Sequence, residues 1–349
     1  MTQTVHPPIP APNPTAWMPV PMPITKQSWP DGTKPVVSIC CITYNHRDSI
    51  SEAIEGFLMQ ETTFPVEIII HDDASADGTS AIIRDYLSRY PKLIRAILQT
   101  ENQYSIGKPP LIYTCKMAKG EFIAVCEGDD YWISRDKLAK QVALLESNPH
   151  CSMCAAQTLV KDDDAQPGKN EVLLQGLAKK FLCFEDFFHR CYLHTSTYLI
   201  RSSMLDIASQ WSKYIKMSDT SLRYLLSDLG PVVFLPDVVS VYRITGQGIW
   251  TSLSPMVKRE QEIQLNLSFY THFKKQYRRS FSRRLLEQYF DILCFSLRTN
   301  KFRCPPVYIL GLVKHALFNP IHAFIVPVKY LRSYFNRRLT SRHISSISN

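Results

Sequence analysis

The run Val36–Tyr44 (VVSICCITY) limits this chain more than any other feature, because it is short, apolar and β-branched with no polar alternation. A segment of that kind suits a strand covered on both faces, as in a parallel sheet. Asp48–Gln60 follows with Ile50, Ile54, Phe57 and Leu58 at helical spacing. The alternation then continues, with strands expected at Val66–His71, Ile94–Leu98, Glu121–Cys126 and Cys151–Val160. Helices are expected at Thr79–Tyr90, Pro109–Ala118 and Lys137–Ser147. Strand and helix in turn, with short connections, predict an α/β domain whose mainly parallel sheet is flanked by helices. Ligands in such sheets lie beyond the carboxyl ends of the strands, so the polar residues closing each strand are the ones to examine.

The rest of the chain is less regular. Residues 1–34 carry Pro7, Pro8, Pro10, Pro12, Pro14, Pro19, Pro21, Pro23 and Pro30, which predicts an extended lead-in. After Val160 a solvated loop is expected over residues 161–170, a helical turn at Phe184–Phe188, a strand at Thr195–Ile200 and a helix at Thr220–Leu229. Val232–Leu235 and Val238–Tyr242 read as short strands, and from Pro255 the chain reads as helical, basic and aromatic. Three parts result: an N-terminal segment 1–34, an α/β domain 35–254 and a helical, basic C-terminal region 255–349.

Charge separates these parts. Residues 255–349 hold 17 Lys and Arg against 4 Asp and Glu, a surplus of 13, whereas the whole chain carries +9, so residues 1–254 carry −4. The basic character belongs to the tail, which argues against a protein built throughout for nucleic acid and for an appendage facing an anionic surface. Pro305–Pro327 is apolar but interrupted by Lys314, His315, Asn319, Pro320 and His322. A helix lying on a membrane, or a helical subdomain packed on the core or on a second copy, fits it better than a spanning helix. No secretory leader pattern opens the chain, and its ten scattered cysteines read as free thiols of a reducing compartment. Cys151 and Cys154 form a lone pair without a second pair nearby, and a buried strand explains them better than zinc. Neither G-x-G-x-x-G after the first strand nor a P-loop is present.

Three polar clusters close strands. They are Thr43-Tyr44-Asn45, then His71-Asp72-Asp73-Ala74-Ser75-Ala76-Asp77-Gly78-Thr79, then Glu127-Gly128-Asp129-Asp130-Tyr131-Trp132. In the second, Asp73 or Ser75 could cap a helix, and Asp77 and Thr79 could be no more than caps. The third is harder to assign to structure, since three carboxylates in four residues repel one another unless a cation neutralises them. Oxygen ligands of this type suit Mg2+ or Mn2+, which also accept phosphate oxygens.

With these clusters in order, the chain resembles a family 2 glycosyltransferase of the GT-A fold, and more narrowly the bacterial branch carrying EGDDYW followed by KL..Q. The stretches carrying the likeness are SICCITYNH (38–46), EIIIHDDASADGT (67–79), GEFIAVCEGDDYW (120–132), KLAKQVALLESNP (137–149), HTSTYLIRSSM (194–204), DTSLRYLLSDLG (219–230) and VVSVYRITGQGIW (238–250). The resemblance implies an inverting, metal-dependent transferase that moves a sugar from a nucleotide-sugar donor, most commonly a UDP-sugar, to a glycan or lipid-linked hydroxyl in surface polysaccharide synthesis. It implies that Thr43 and Tyr44 line the base pocket and that Asp72 or Asp73 reaches base and ribose. Asp129 and Asp130 would hold ribose and the Mg2+ or Mn2+ ion, and Glu127 stands where many relatives have Asp. Asp219 matches the general base, though an Asp opening a helix could equally be its N-cap. Tyr242-Arg243 and Gly248-Ile249-Trp250 fall where the site closes over the diphosphate, and Arg243 could instead form a structural ion pair. Relatives often carry His where this chain has Thr245. His194 could orient donor or acceptor, but a lone His beside an apolar strand is more often structural. The expected location is cytoplasmic, with a peripheral contact to anionic membrane through the tail and no nucleic-acid partner. An inactive nucleotide-binding scaffold and a nucleotidyltransferase are the alternatives.

Overall fold

A computed structural model describes residues 18–162, 171–189, 191–245, 248, 250, 252–298 and 306–327. Residues 1–17 of the Pro-rich segment and most of the 161–170 loop lie outside them. The chain divides into two compact units, one of residues 1–212 and 217–248 and one of residues 213–216 and 249–349.

In the first unit the elements follow in the order β1 (Met22–Pro23), β2 (Val37–Thr43), α1 (Ile50–Leu58), β3 (Glu61–Thr62), β4 (Val66–Asp72), α2 (Thr79–Arg89) and β5 (Ile94–Leu98). Next come α3 (Pro110–Lys116), β6 (Phe122–Glu127), β7 (Tyr131–Trp132), α4 (Lys137–Glu146) and β8 (Met153–Asp162). The unit ends with β9 (Glu171–Val172), β10 (Phe181–Leu182), β11 (Leu199–Arg201), α5 (Ser202–Ser209), α6 (Asp219–Leu229) and β12 (Val232–Ile244). β10, β12, β8, β11, β6, β2, β4 and β5 lie side by side in that order. β2 is parallel to both β4 and β6, and β4 is parallel to β5. The apolar run that anchors β2 is buried almost throughout, as its lack of alternation demands.

Three details depart from the pattern read in the sequence. The stretch expected as a strand over 195–200 is a 3-10 turn, Thr195–Thr197, followed by the three-residue β11. β11 runs antiparallel to both β6 and β8, so the sheet is parallel on one side of it and mixed on the other. β12 is one strand rather than two: its ladder with β8 shifts register between Leu235 and Val238. Pro236 offers no N–H to the ladder, so pairing is interrupted while the chain stays extended. Helix α5 also forms, where no helix is read from the sequence.

β1 pairs antiparallel with β3, and Ile24 beside it is buried, which ties residues 22–27 of the Pro-rich segment to the domain. Cys151 and Cys154 are buried in the main apolar cluster. The nine described cysteines are free thiols.

The second unit contains α7 (Pro255–His272), α8 (Arg278–Arg298) and α9 (Pro306–Phe318), with residues 320–327 helical again. Ser254 caps α7 through Val257 N–H, and Pro255 takes the first helical position, where its missing N–H costs nothing. Ile263, Leu285, Tyr289 and Ile292 form its small core.

Candidate active site

The parallel register brings the three polar clusters to one edge of the sheet. Thr43 at the end of β2 lies opposite Asp72 at the end of β4, and Ile42 lies opposite Glu127 at the end of β6. Chemistry spread over some eighty residues of sequence therefore converges because each strand stops at the same level.

The first two clusters lock together. Asn45, in the left-handed region at φ 55°, accepts the Ala76 N–H at 2.9 Å, and its own N–H donates to Ser75 Oγ at 2.8 Å. Asp77 accepts the Arg47 N–H at 2.9 Å and the Thr79 hydroxyl at 2.6 Å. The carboxylates of the second cluster take part in this bracing. Asp72, fully buried, accepts the Ser75 N–H at 3.1 Å and the hydroxyls of Ser75 and Ser80. Asp73, also buried, accepts the N–H groups of Gln103 at 2.7 Å and Tyr104 at 3.0 Å. The side chain of Asp73 thus holds the 102–105 turn instead of capping α2. Tyr44 beside them is exposed.

The third cluster is different. Gly128 is required there, because a Cβ would lie 2.6 Å from Thr43 Oγ1 and 3.0 Å from His46 Nδ1. Both of those atoms are buried without a hydrogen-bond partner among the described residues. Asp130 is buried; one carboxylate oxygen accepts the Arg243 N–H at 3.0 Å and the other lies 3.6 Å from His194 Nδ1. Burial, with Asp129 and Glu127 alongside, pushes its carboxyl well above the usual carboxylate range. Glu127 accepts the Thr195 hydroxyl at 3.0 Å. Burial, followed by the charges of Asp129 and Asp219, pushes it up to about 7, with the Thr195 hydroxyl opposing. Asp129 keeps a side chain 21% exposed and lies 3.7 Å from His46 Nε2.

Two further segments complete the edge. At the head of α6, Ser218 is the N-cap and forms a capping box with Ser221, a motif contributing about 1 kcal/mol to a helix. Asp219 is therefore free of the capping task; it is half-buried and lies in the field of Glu127. On β12, Tyr242 stacks on His194 with ring centroids 4.2 Å apart. Burial and then Asp130, Asp129, Asp219 and Glu127 push its phenol up to about 12, so Tyr242 feels all four acids. His194 is buried, shares a 2.8 Å contact between Nδ1 and Ser196 Oγ, and is driven down to about 3 by burial, so it is a neutral ring at neutral pH. Arg243 lies 4.5 Å over the Tyr131 ring and pairs with Glu52.

Thr43, Asp72, Asp73, Glu127, Asp129, Asp130, His194, Asp219 and Arg243 thus lie in one unit at one sheet edge. Trp250 belongs to the second unit, where it is exposed and Lys258 lies 6.0 Å from its ring. His46 and Thr195 are site neighbours to which the sequence reading gave no role. Each falls inside a stretch carrying the family likeness, but nothing in a lone His or Thr marks which acid it will face.

Residues 38–206 match the family model described as glycosyl transferase family 2. These residues are a family 2 glycosyltransferase domain. An uncharacterized protein of Mycobacterium tuberculosis is 36% identical over 220 residues, 62% of this chain and 61% of that relative. The chain therefore spans about three fifths of that relative's length. The Escherichia coli UDP-Glc:alpha-D-GlcNAc-diphosphoundecaprenol beta-1,3-glucosyltransferase WfaP is 34% identical over 113 residues, 32% of this chain and 42% of WfaP. Among solved structures, Staphylococcus aureus TarS 1-349 in complex with UDP-GlcNAc superposes with a TM-score of 0.53 at 15% identity, covering 85% of this chain and 92% of that one. The mannosyltransferase PcManGT from Pyrobaculum calidifontis, in complex with GDP-Man and Mn2+, gives 0.51 at 17% identity, covering 88% and 91%. The fold of the glycosyltransferase domain is GT-A.

Proposed function

We propose that this glycosyltransferase moves a sugar from a nucleotide-sugar donor to a hydroxyl of a glycan or lipid-linked acceptor, with inversion at the anomeric carbon. The observation that carries the reading is Asp219. It opens α6 without capping it and shares an electrostatic field with the Glu127–Asp130 turn, which is supplied by a distant part of the sequence. An inverting displacement needs a base on one face of the sugar and charge stabilisation for the leaving group on the other, so the two must come from different elements. Asp219, as carboxylate, accepts the proton of the acceptor hydroxyl while its oxygen bonds to the anomeric carbon. The bond from that carbon to the diphosphate breaks, and the nucleoside diphosphate leaves with the electron pair.

Thr43, Tyr44, Asp72 and Asp73 make the base and ribose side of the donor site in this proposal. Thr43 Oγ1 supports it as a buried polar atom lacking a partner. Asp129 is the residue to hold Mg2+ or Mn2+, its carboxylate being part-exposed, while that of Glu127 accepts the Thr195 hydroxyl and that of Asp130 accepts the Arg243 N–H. The described residues contain no group of three ligating side chains, so diphosphate oxygens and water would complete the shell. When bound, such a cation offsets the negative charge that grows on the leaving diphosphate. Arg243 is a second cation on this edge, and Trp250 enters the proposal through the sequence likeness alone. The relatives favour a UDP-sugar, a lipid-linked acceptor and surface polysaccharide synthesis, since WfaP is named for UDP-Glc and a diphosphoundecaprenol acceptor. A cytoplasmic site of action fits both such a donor and the free thiols.

The test is calorimetric titration with UDP, GDP, dTDP and CDP, each with Mn2+ and with chelator. One nucleotide should bind with a requirement for Mn2+, and Asp129→Asn should abolish that requirement together with the tight binding. Well-folded protein that binds none of them would sink the donor site. Proton NMR of the sugar released by slow donor hydrolysis then reads the anomer, and a retained configuration would overturn inversion.

A further inference from the structure

α9 packs on α8 through one face only. Gly311 meets the Tyr289 ring so closely that a Cβ there would lie 2.5 Å from Tyr289 Cζ, and His315, buried one turn on, contacts Ser282 Oγ through Nδ1 at 2.8 Å. The outward face of α9 and of the helical segment 320–327 is bare and, apart from the exposed Lys314 between Leu310 and Leu317, apolar. Val307 is 61% exposed, Leu310 68%, Leu317 79%, Ile321 74% and Phe324 80%. Water-facing helices of soluble domains carry mostly polar residues there, and a largely apolar surface of this kind marks a contact site.

What it contacts follows from charge. Asn319 donates to Ser282 Oγ at 2.8 Å and His322 Nε2 lies 3.2 Å from Glu287 Oε1, so residues 315–322 run beside the first turns of α8. Those turns expose Arg278, Arg279 and Arg283. The bare apolar residues 317–324 are therefore bordered by fixed positive charge. A second copy of the chain meeting this face about a twofold axis would set the arginines against one another. An anionic bilayer meets both features at once: its acyl boundary takes the apolar side chains and its headgroup phosphates take the guanidinium groups. No helix among the described residues is long and apolar enough to cross a membrane, so the contact is one of lying on the surface. We infer that the second unit docks on an anionic phospholipid surface through α9 and residues 320–327, with the exposed arginines of α8 at the rim. The inference rests on the second unit alone and stands apart from the donor site.

The test uses the full chain and vesicle sedimentation, with phosphatidylcholine alone or mixed with phosphatidylglycerol, and UDP binding measured on the same samples. The chain should sediment with the mixed vesicles, release as salt rises, and bind phosphatidylcholine alone at least about tenfold less well. Leu317→Asp/Phe324→Asp should lower the partition by about tenfold or more, these side chains being too exposed to matter for folding. Arg278→Gln/Arg279→Gln should lower it by roughly 30-fold on mixed vesicles and hardly at all on phosphatidylcholine. UDP binding should be unchanged in both variants. No sedimentation with mixed vesicles overturns the inference, as does binding indifferent to both pairs of substitutions. A dimer seen by ultracentrifugation that Leu317→Asp/Phe324→Asp dissolves, without vesicle binding, overturns it in favour of a second copy. Loss of UDP binding in the unsubstituted chain would instead count against the donor site.

Discussion

Asp72-Asp73 and Asp129-Asp130 are two acidic pairs at the ends of two strands that flank β2 in one parallel sheet, and their physical situations are opposite. Asp72 and Asp73 are buried and supplied with donors: backbone N–H groups and serine hydroxyls satisfy their oxygens. The turn from Glu127 to Asp130 gathers three acids with few donors, and Glu127 and Asp130 are pushed toward their neutral forms. Donor supply decides the difference. Where the surrounding loops turn their N–H groups inward, an aspartate is a brace; where they do not, the charge is left for a ligand to neutralise.

The comparison can be broken in several ways. The largest effect should come from Asp219→Asn, which should cut turnover by a factor of roughly 10² or more while leaving UDP affinity unchanged. Near-normal turnover of the folded variant would remove Asp219 as the base. Asp73→Ala should lower stability by roughly 1–3 kcal/mol in urea unfolding, because the Gln103 and Tyr104 N–H groups lose their acceptor. An unchanged midpoint would show that the brace is dispensable.

Lys137 extends the same logic to a base. It is fully buried, 4.0 Å over the Trp132 ring and 2.8 Å from Gln141 Oε1, and burial drives it down to about 7. Between about 7 and the ordinary lysine value near ~10.4 the folded state holds fewer protons than the unfolded one, so stability should rise with pH across that window. Lys137→Met should flatten the rise by on the order of 1 kcal/mol between neutral pH and the alkaline end, the ring contact offsetting part of the burial. An identical pH profile for both proteins would show that Lys137 stays charged. The smallest effect should be Asp129→Asn in the absence of nucleotide and metal, raising stability by about 0.5 kcal/mol as repulsion within the turn falls. That sign, opposite to Asp73→Ala, sharpens the contrast; a loss of stability would place Asp129 among the braces.

Much of the first unit was legible before any coordinates. β2, β4, β5, α2 and α4 start and stop within two residues of their expected bounds, because buried parallel strands and amphipathic helices write their period into the chain. The acidic turn after β6 was legible too, since so many carboxylates in four residues have few structural uses. The antiparallel β11 was not, because its three residues carry no period and their direction depends on β6 and β8. Nor was the capping of α6 by Ser218: Ser218 and Asp219 are both good caps, and only the backbone selects between them.

By itself the sequence determined the layered α/β domain, the level at which its strands end and the acids placed there, because those follow from local periodicity and residue type. The tertiary structure decided which acids are satisfied, which residue caps α6 and which face of α9 is left bare. Each of those depends on donors and partners from distant segments, and no local pattern records where such groups will arrive.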